Sequence, residues 1–317
     1  MASKKSMEIN IVRCLLIFLI ILIHCTPFKD SYPNVQNAIL AFVVPLFLFI
    51  TGYLFNVRKT WREFAHYLYG MLTMYAFLET AYIILSYYLP VRDGVTELSA
   101  TVVFSKLLLH PIGPYWYLHT MIVCSCIYYL THRLSSRLGT DLAISSSIFL
   151  GVTLSYYTPL LGLLSPLAYF MGVIARRRFK HLMCIFSGSF MAIPIAAVSL
   201  LYGICTNHAY VSQLSYFSIL LGVCTITSLV WCSLRLSPKV CRIMDYIGSN
   251  TLPIYLFHPL FTQLSKHLLP GLIDNGYIFI FCLVVIASAT VGSLAIGYLM
   301  DKTGASRLLF RKSLLRS

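Results

Sequence analysis

The sequence predicts an all-α, polytopic membrane bundle of about ten transmembrane helices, with the N-terminus and C-terminus both cytosolic. Three observations predict it. Only 11% of the 317 residues are charged and 58% are hydrophobic, where soluble chains carry about 25% charge, and mean hydropathy is +0.79. Apolar runs of about 16 to 25 residues recur between short polar breaks, the length a helix needs to cross a hydrocarbon core about 30 Å thick. The basic residues also alternate between the two sides of those runs in the sense of the positive-inside rule.

In chain order the spans fall at approximately 11–28, 35–56, 64–89, 114–131, 141–157, 161–175, 182–203, 210–233, 247–268 and 277–300. The stretch 98–110 reads as an extra short helix at the outer surface. With the N-terminus inside, all of the 24 lysines and arginines except Lys29, Arg92, Lys106 and Lys266 fall on the inner side. Adding or removing one early span scrambles that alternation, so the charges support both the count and the orientation.

No polar stretch is long enough for a separate soluble domain. Residues 1–317 therefore read as one integral membrane domain, with a basic cytosolic tail from about 301 whose charges suit topology and contact with anionic membrane lipid. Lys4 and Lys5 ahead of an apolar run look like the opening of a signal peptide. No small-residue cleavage site follows, and Leu22-Ile23-His24-Cys25 puts a histidine where a lipoprotein box needs a small residue, so the first segment reads as an uncleaved span. The net charge of +14 is accounted for by topology, without nucleic acid as a partner. Ten cysteines are scattered, mostly inside apolar segments, with no CxxC and no metal-like grouping with histidine, so neither disulfides nor a metal site is expected. No internal repeat is evident, which disfavours the inverted-repeat transporter folds.

The first segment, IVRCLLIFLIILIHCTPF, carries Arg13 and His24 among apolar residues. On a helix turning about 100° per residue the two share a face to within roughly 20°, about 16 Å apart along the axis. With Arg13 at the inner headgroup boundary, His24 lies about halfway through a core roughly 30 Å thick. An ionisable group at that depth is a functional-site candidate, the alternative being a histidine hydrogen-bonded within a bundle. Glu79 is the one carboxylate deep inside a predicted span, and His258 reaches a similar depth on the ninth. Polar groups at such depth also suit a proton-coupled transporter or exporter of a glycan or small polar solute.

Four stretches, in order along nearly the whole chain, carry a resemblance. They are Arg13 followed by ten residues and His24; Pro45-Leu-Phe-Leu-Phe-Ile-Thr-Gly-Tyr-Leu-Phe55; Tyr115-Trp-Tyr-Leu118; and Ile247-Gly-Ser-Asn-Thr-Leu-Pro-Ile-Tyr-Leu-Phe-His258. Together they resemble the membrane acyltransferase-3 family, integral membrane O-acyltransferases acting on bacterial surface glycans. The chain departs from the family at Asn10, where an aspartate usually stands three residues before the arginine, and at Thr51, usually serine. It also lacks the glutamate-containing Trp-Ser-Leu-x-x-Glu variant and the appended esterase-like domain of some members.

The resemblance implies acyl transfer from acetyl-CoA to a hydroxyl of a cell-surface or lipid-linked glycan, in the bacterial cytoplasmic (inner) membrane and without a metal. A thioester is already activated, so the chemistry chiefly needs a base for the attacking hydroxyl, and neutral histidine suits that at neutral pH. His24 is the candidate base. Glu79 has two readings, a partner that orients His24 or a hydrogen-bonded packing group. Arg13, Arg58, Lys59 and Arg62 are candidate ligands of the coenzyme A phosphates, the alternative for the 58–62 cluster being topology alone, as is read for Arg176 to Lys180. Trp61 reads as an interfacial anchor or an adenine stack. Thr51-Gly52 can bring two helices close or leave room for the pantetheine arm. Trp116, Tyr255 and His258 are candidate acceptor-binding residues, and His110 and His119 are placed near the outer surface.

Overall fold

The computed structural model describes residues 2–88, 94–135, 139–158, 161, 165–178, 190–206, 222–224, 226–228, 231, 235 and 237–316, and among them every regular element is helical. In order these are α1 (Ala2–Ile23), α2 (Thr26–Ser31), α3 (Pro33–Leu54), α4 (Trp61–Tyr88), α5 (Ala100–Leu108), a 3₁₀ turn (Gly113–Tyr115), α6 (Trp116–Leu134), α7 (Thr140–Tyr157), α8 (Ser165–Arg178) and α9 (Ala192–Thr206). There follow α10 (Pro238–Ser249), α11 (Thr251–Leu268), α12 (Pro270–Asp274), α13 (Ile278–Lys302) and α14 (Ala305–Phe310). The span expected at 210–233 falls largely outside the described residues, as do the first part of 182–203 and Arg92, Arg137 and Lys180.

Among the described residues three helices, α3, α4 and α13, are long and apolar enough to cross a membrane, and Ile9–Ile23 within α1 is a shorter apolar helix. The faces of α13 fit that environment. Phe281, Cys282, Val285, Ala289 and Ser293 are buried, while Phe279, Leu283, Val291 and Leu299 are exposed. An apolar face opposite a packed face belongs against lipid rather than water.

Two of the expected spans are interrupted. The first does not run unbroken to Phe28: α1 ends at Ile23 and α2 begins after Cys25. Pro27 has no N–H to give the Ile23 carbonyl four residues back. The buried Gln36 side chain supplies the donor instead, Nε2 to Ile23 O at 2.9 Å. The ninth breaks at Asn250, between the amphipathic α10, capped by Ser237, and α11.

The described residues fall into two compact units. One lies within Met1–Phe47, Phe179–Thr303 and Leu314–Ser317, the other within Leu48–Arg178 and Gly304–Ser313. In the first, α1 packs on α10 through backbone contact: a Cβ on Gly248 would lie 1.7 Å from the Asn10 carbonyl oxygen. Ile11, Cys14 and Met244 form the buried seam beside it. The end of the tail is docked, not loose: Asp301 accepts from the N–H groups of Leu314 and Leu315, and Asn250 exchanges hydrogen bonds with the Arg316 main chain.

In the second unit, α3 and α8 meet through a reciprocal pair of glycines. A Cβ on Gly52 would lie 2.0 Å from Tyr169 O, and one on Gly172 would lie 1.9 Å from Phe49 O. Small residues let membrane helices approach to this degree. The α8 backbone fills the space beside Gly52, which corrects the expectation of room there for a pantetheine arm. Phe55, Phe64, Tyr129, Tyr169 and Phe170 form an aromatic core, with Phe64 stacked on Tyr129 at 3.8 Å.

Candidate functional site

In the first unit the candidate residues gather where α1, α10 and α11 meet. His24 sits in the turn just past α1, its backbone N–H still donating to Ile21 O at 3.1 Å. The break at Pro27 is what takes it out of the helix. Ile23 and Cys25 are buried on either side, but His24 is exposed. Its ring centroid is 5.3 Å from that of His258 on α11.

His258 is fully buried. Its Nδ1 lies 2.9 Å from Tyr255 O and 3.1 Å from Ile254 O, and Nε2 is buried without a hydrogen-bond partner among the described residues. Tyr255, one turn before it, is buried with its ring 6.3 Å from the imidazole.

Arg13 is half-buried on α1 and reaches the late motif directly, Nη2 donating to Thr251 Oγ1 at 2.5 Å. Its Nη1 stands 3.5 Å from Asn10 Oδ1, and Asn10 Nδ2 donates to Asp245 Oδ1 on α10 at 2.9 Å. Asp245 thus supplies, from another helix, a carboxylate beside the position where the family usually carries one. Sequence reading missed it. Its signal was the amphipathic period of 238–249, which sets Cys241, Met244 and Gly248 on a buried face with Asp245 next to it.

The second unit holds the basic cluster. Thr60 and Glu63 form a reciprocal cap at the start of α4: Thr60 N–H donates to Glu63 Oε2 at 2.7 Å and Glu63 N–H to Thr60 Oγ1 at 3.3 Å. Arg133 Nη2 and Tyr129 OH both donate to Lys59 O, at 2.6 and 3.1 Å. Arg176 Nη1 donates to Tyr53 O at 2.9 Å, covering a carbonyl that the end of α3 leaves open. Arg176 therefore has a structural task beyond the topological one expected of it, and sequence alone carries no sign of which helix end it covers.

Three side chains of the cluster differ in setting. Lys59 is half-buried with Nζ over the Tyr67 ring at 4.9 Å and the Phe55 ring at 5.5 Å. Burial holds its ammonium below the ordinary lysine range, with Glu63 opposing that shift and Arg176 adding to it. Arg58 and Arg62 are exposed. Trp61 is exposed as well, its ring 6.0 Å from Tyr129.

Glu79 is fully buried on α4, its Oε1 accepting from Ile112 N–H at 2.7 Å and its Oε2 without a partner among the described residues. It anchors the loop into α6, beside the 3₁₀ turn in which Gly113 adopts φ +62° against the Tyr82 ring. Trp116 is half-buried as the first residue of α6. His119, expected near a surface, is buried against Tyr75 with centroids 5.5 Å apart, whereas His110 is exposed. Thr51 Oγ1 is hydrogen-bonded to Tyr117 OH at 2.6 Å.

The structure thus brings Arg13, His24, Tyr255 and His258 into one unit, and places Arg58, Lys59, Arg62, Glu79 and Trp116 in the other. A family model described as an acyltransferase domain matches residues 8–298. No curated protein and no solved structure matches the chain.

Proposed function

The chain belongs to the acyltransferase-3 family, and from that premise we propose that it moves an acetyl group from acetyl-CoA to a hydroxyl of a cell-surface or lipid-linked glycan, as a multi-pass protein of the bacterial inner membrane. The observation that carries the reading is His24, an exposed imidazole at the end of an apolar helix within the matched region, next to a second imidazole.

In the proposed reaction a ring nitrogen of His24 takes the proton of the acceptor hydroxyl as its oxygen attacks the thioester carbonyl carbon. The tetrahedral intermediate collapses with cleavage of the C–S bond, and the imidazolium returns the proton to the departing thiolate. The products are an O-acetyl ester and free coenzyme A. Arg58 and Arg62, both exposed, are the proposed ligands of the donor phosphates together with Lys59, since guanidinium forks match phosphate oxygens. Arg13 is proposed to contribute charge at the inner end of α1. Tyr255 is proposed to line the acceptor side.

The test is thiol release from acetyl-CoA by the purified protein, wild type against His24→Ala, with mass spectrometry of surface glycans from cells with and without the gene. Wild-type release that His24→Ala lacks, together with loss of O-acetyl groups in the deletion, is the expected result. A wild-type protein that neither binds nor consumes acetyl-CoA would overturn the choice of donor.

A further inference from the structure

The contacts of the His258 imidazole assign its tautomer. Its Nδ1 lies within hydrogen-bond distance of two main-chain carbonyl oxygens, Tyr255 O at 2.9 Å and Ile254 O at 3.1 Å. A carbonyl oxygen only accepts, so Nδ1 carries the proton. The cause is the next residue. Pro259 stands inside α11 and has no N–H to give Tyr255 O, the carbonyl four residues before it. The His258 Nδ1–H takes that position. In the neutral ring Nε2 is then the unprotonated nitrogen, an acceptor.

That acceptor is buried, with no hydrogen-bond partner among the described residues. A buried polar atom left in this state costs about 1–3 kcal/mol, so its presence calls for a partner. The neighbouring polar ring is His24, at 5.3 Å between centroids and with the two planes 51° apart. At that centroid separation a nitrogen of each ring can lie within hydrogen-bond distance of the other when the two face each other.

We infer that His258 is a positioning residue: its Nε2 accepts a hydrogen bond from one ring nitrogen of His24, so that the other nitrogen of His24 is left unprotonated toward the acceptor hydroxyl. The inference rests on His24 being the base. It supplies the orienting group that an imidazole base needs, a role filled by a carboxylate in serine-hydrolase triads. His258 does this while remaining neutral, its own tautomer held by the main chain. Exposure divides the two rings in the same way, since His24 is open and His258 is fully buried. When His24 takes the hydroxyl proton, the imidazolium keeps its bond to His258 Nε2 and loses no orientation.

Two conservative variants separate this role from simple packing. In His258→Asn the amide N–H can replace Nδ1–H on Tyr255 O, but nothing replaces Nε2. In His258→Gln the amide oxygen can reach the place of Nε2, while the main-chain bond is lost. Expected is a His258→Asn protein with wild-type Tm and acetyl-CoA KM but kcat lower by about 10- to 100-fold, the order lost when the hydrogen-bonded partner of a metal-bound histidine is removed, and partial recovery of kcat in His258→Gln. A packing role predicts the reverse order, with Asn near wild type and Gln impaired, and that result overturns the inference.

Nitrogen-15 NMR of histidine-labelled protein provides a readout independent of turnover and of whether a variant folds. A neutral Nδ1–H tautomer assigned to His258 is expected; an Nε2–H tautomer overturns the inference. Full activity in His24→Ala would remove the base assignment itself, and the tautomer would then decide alone whether His258 Nε2 is the acceptor described.

Discussion

His258 and Glu79 send the same signal from the sequence, an ionisable side chain deep in an apolar helix, yet they are wired differently. Each is fully buried, each is tied to the main chain through one atom, and each has a second atom without a partner among the described residues. His258 bonds within its own helix, so the tie sets its tautomer and leaves Nε2 beside the exposed ring of His24. Glu79 bonds to Ile112, 33 residues away, so its tie fixes a loop. A buried ionisable group is therefore better read by what its bound atom holds in place than by its depth. One holds a ring that stands next to the exposed imidazole of His24; the other holds the entry to α6.

The largest effect expected from this contrast lies in turnover. His24→Ala should lower kcat for acyl transfer by about 10²- to 10⁴-fold, the usual contribution of a positioned base. Glu79→Gln should leave kcat little changed, because the amide oxygen can still accept from Ile112. A Glu79→Gln enzyme as damaged as His24→Ala, with unaltered Tm, would place the carboxylate in the chemistry and erase the distinction.

The second effect is on stability. Glu79→Ala leaves the Ile112 N–H buried without its acceptor, which costs about 1–3 kcal/mol, read as a lowered Tm in detergent. Glu79→Gln should recover most of that loss. If Ala and Gln melt alike at the wild-type temperature, the loop does not depend on this bond.

What could be read from sequence was whatever is periodic or local. The apolar runs predicted α3, α4 and α13 to within a few residues, because a lipid-facing helix must be apolar over its length. The order of motifs was enough to identify the family. Pro27 and Pro259 were visible as letters, but their consequences depend on which group replaces the missing N–H. That group is Gln36, thirteen residues from Ile23, in one case, and the preceding histidine in the other. Asp245 and Arg176 could not be read at all. Their partners, Asn10 and the Tyr53 carbonyl, are 235 and 123 residues away, and composition does not encode such pairings. The residues expected to act on the acceptor differ in burial: Trp116 is half-open, Tyr255 and His258 are not.

The basic cluster yields a smaller effect that divides its arginines by setting. Arg58→Ala and Arg62→Ala should each raise the acetyl-CoA KM several-fold with kcat unchanged, about 1 kcal/mol being close to a fivefold change in affinity. Arg176→Ala should instead lower Tm, since it uncovers the end of α3. Unchanged KM in both exposed variants would reduce Arg58 and Arg62 to topology signals.

The smallest expected effect tests the Asn10–Asp245 pair, and it does so by exchanging charge between the two helices. Asn10 Nδ2 donates to Asp245 Oδ1 while Asn10 Oδ1 faces the Arg13 guanidinium. Asn10→Asp alone installs the residue usual at this point of the family, but here it sets one carboxylate against another across the contact at Gly248. Two carboxylates in one site cannot both ionise freely, so this variant should melt lower than wild type despite its resemblance to other members. Asp245→Asn alone keeps a side-chain oxygen for the Asn10 amide and should be nearly neutral. The double variant restores one carboxylate and one amide, now with the carboxylate adjacent to Arg13, and should recover the wild-type Tm. The pair then shows a coupling of about 0.5–1 kcal/mol in a double-mutant cycle, at the lower end for residues in contact. Additive effects would mean that Asp245 does not hold Asn10. Arg13 would then depend on Thr251, and the carboxylate on α10 would have no part in placing the guanidinium.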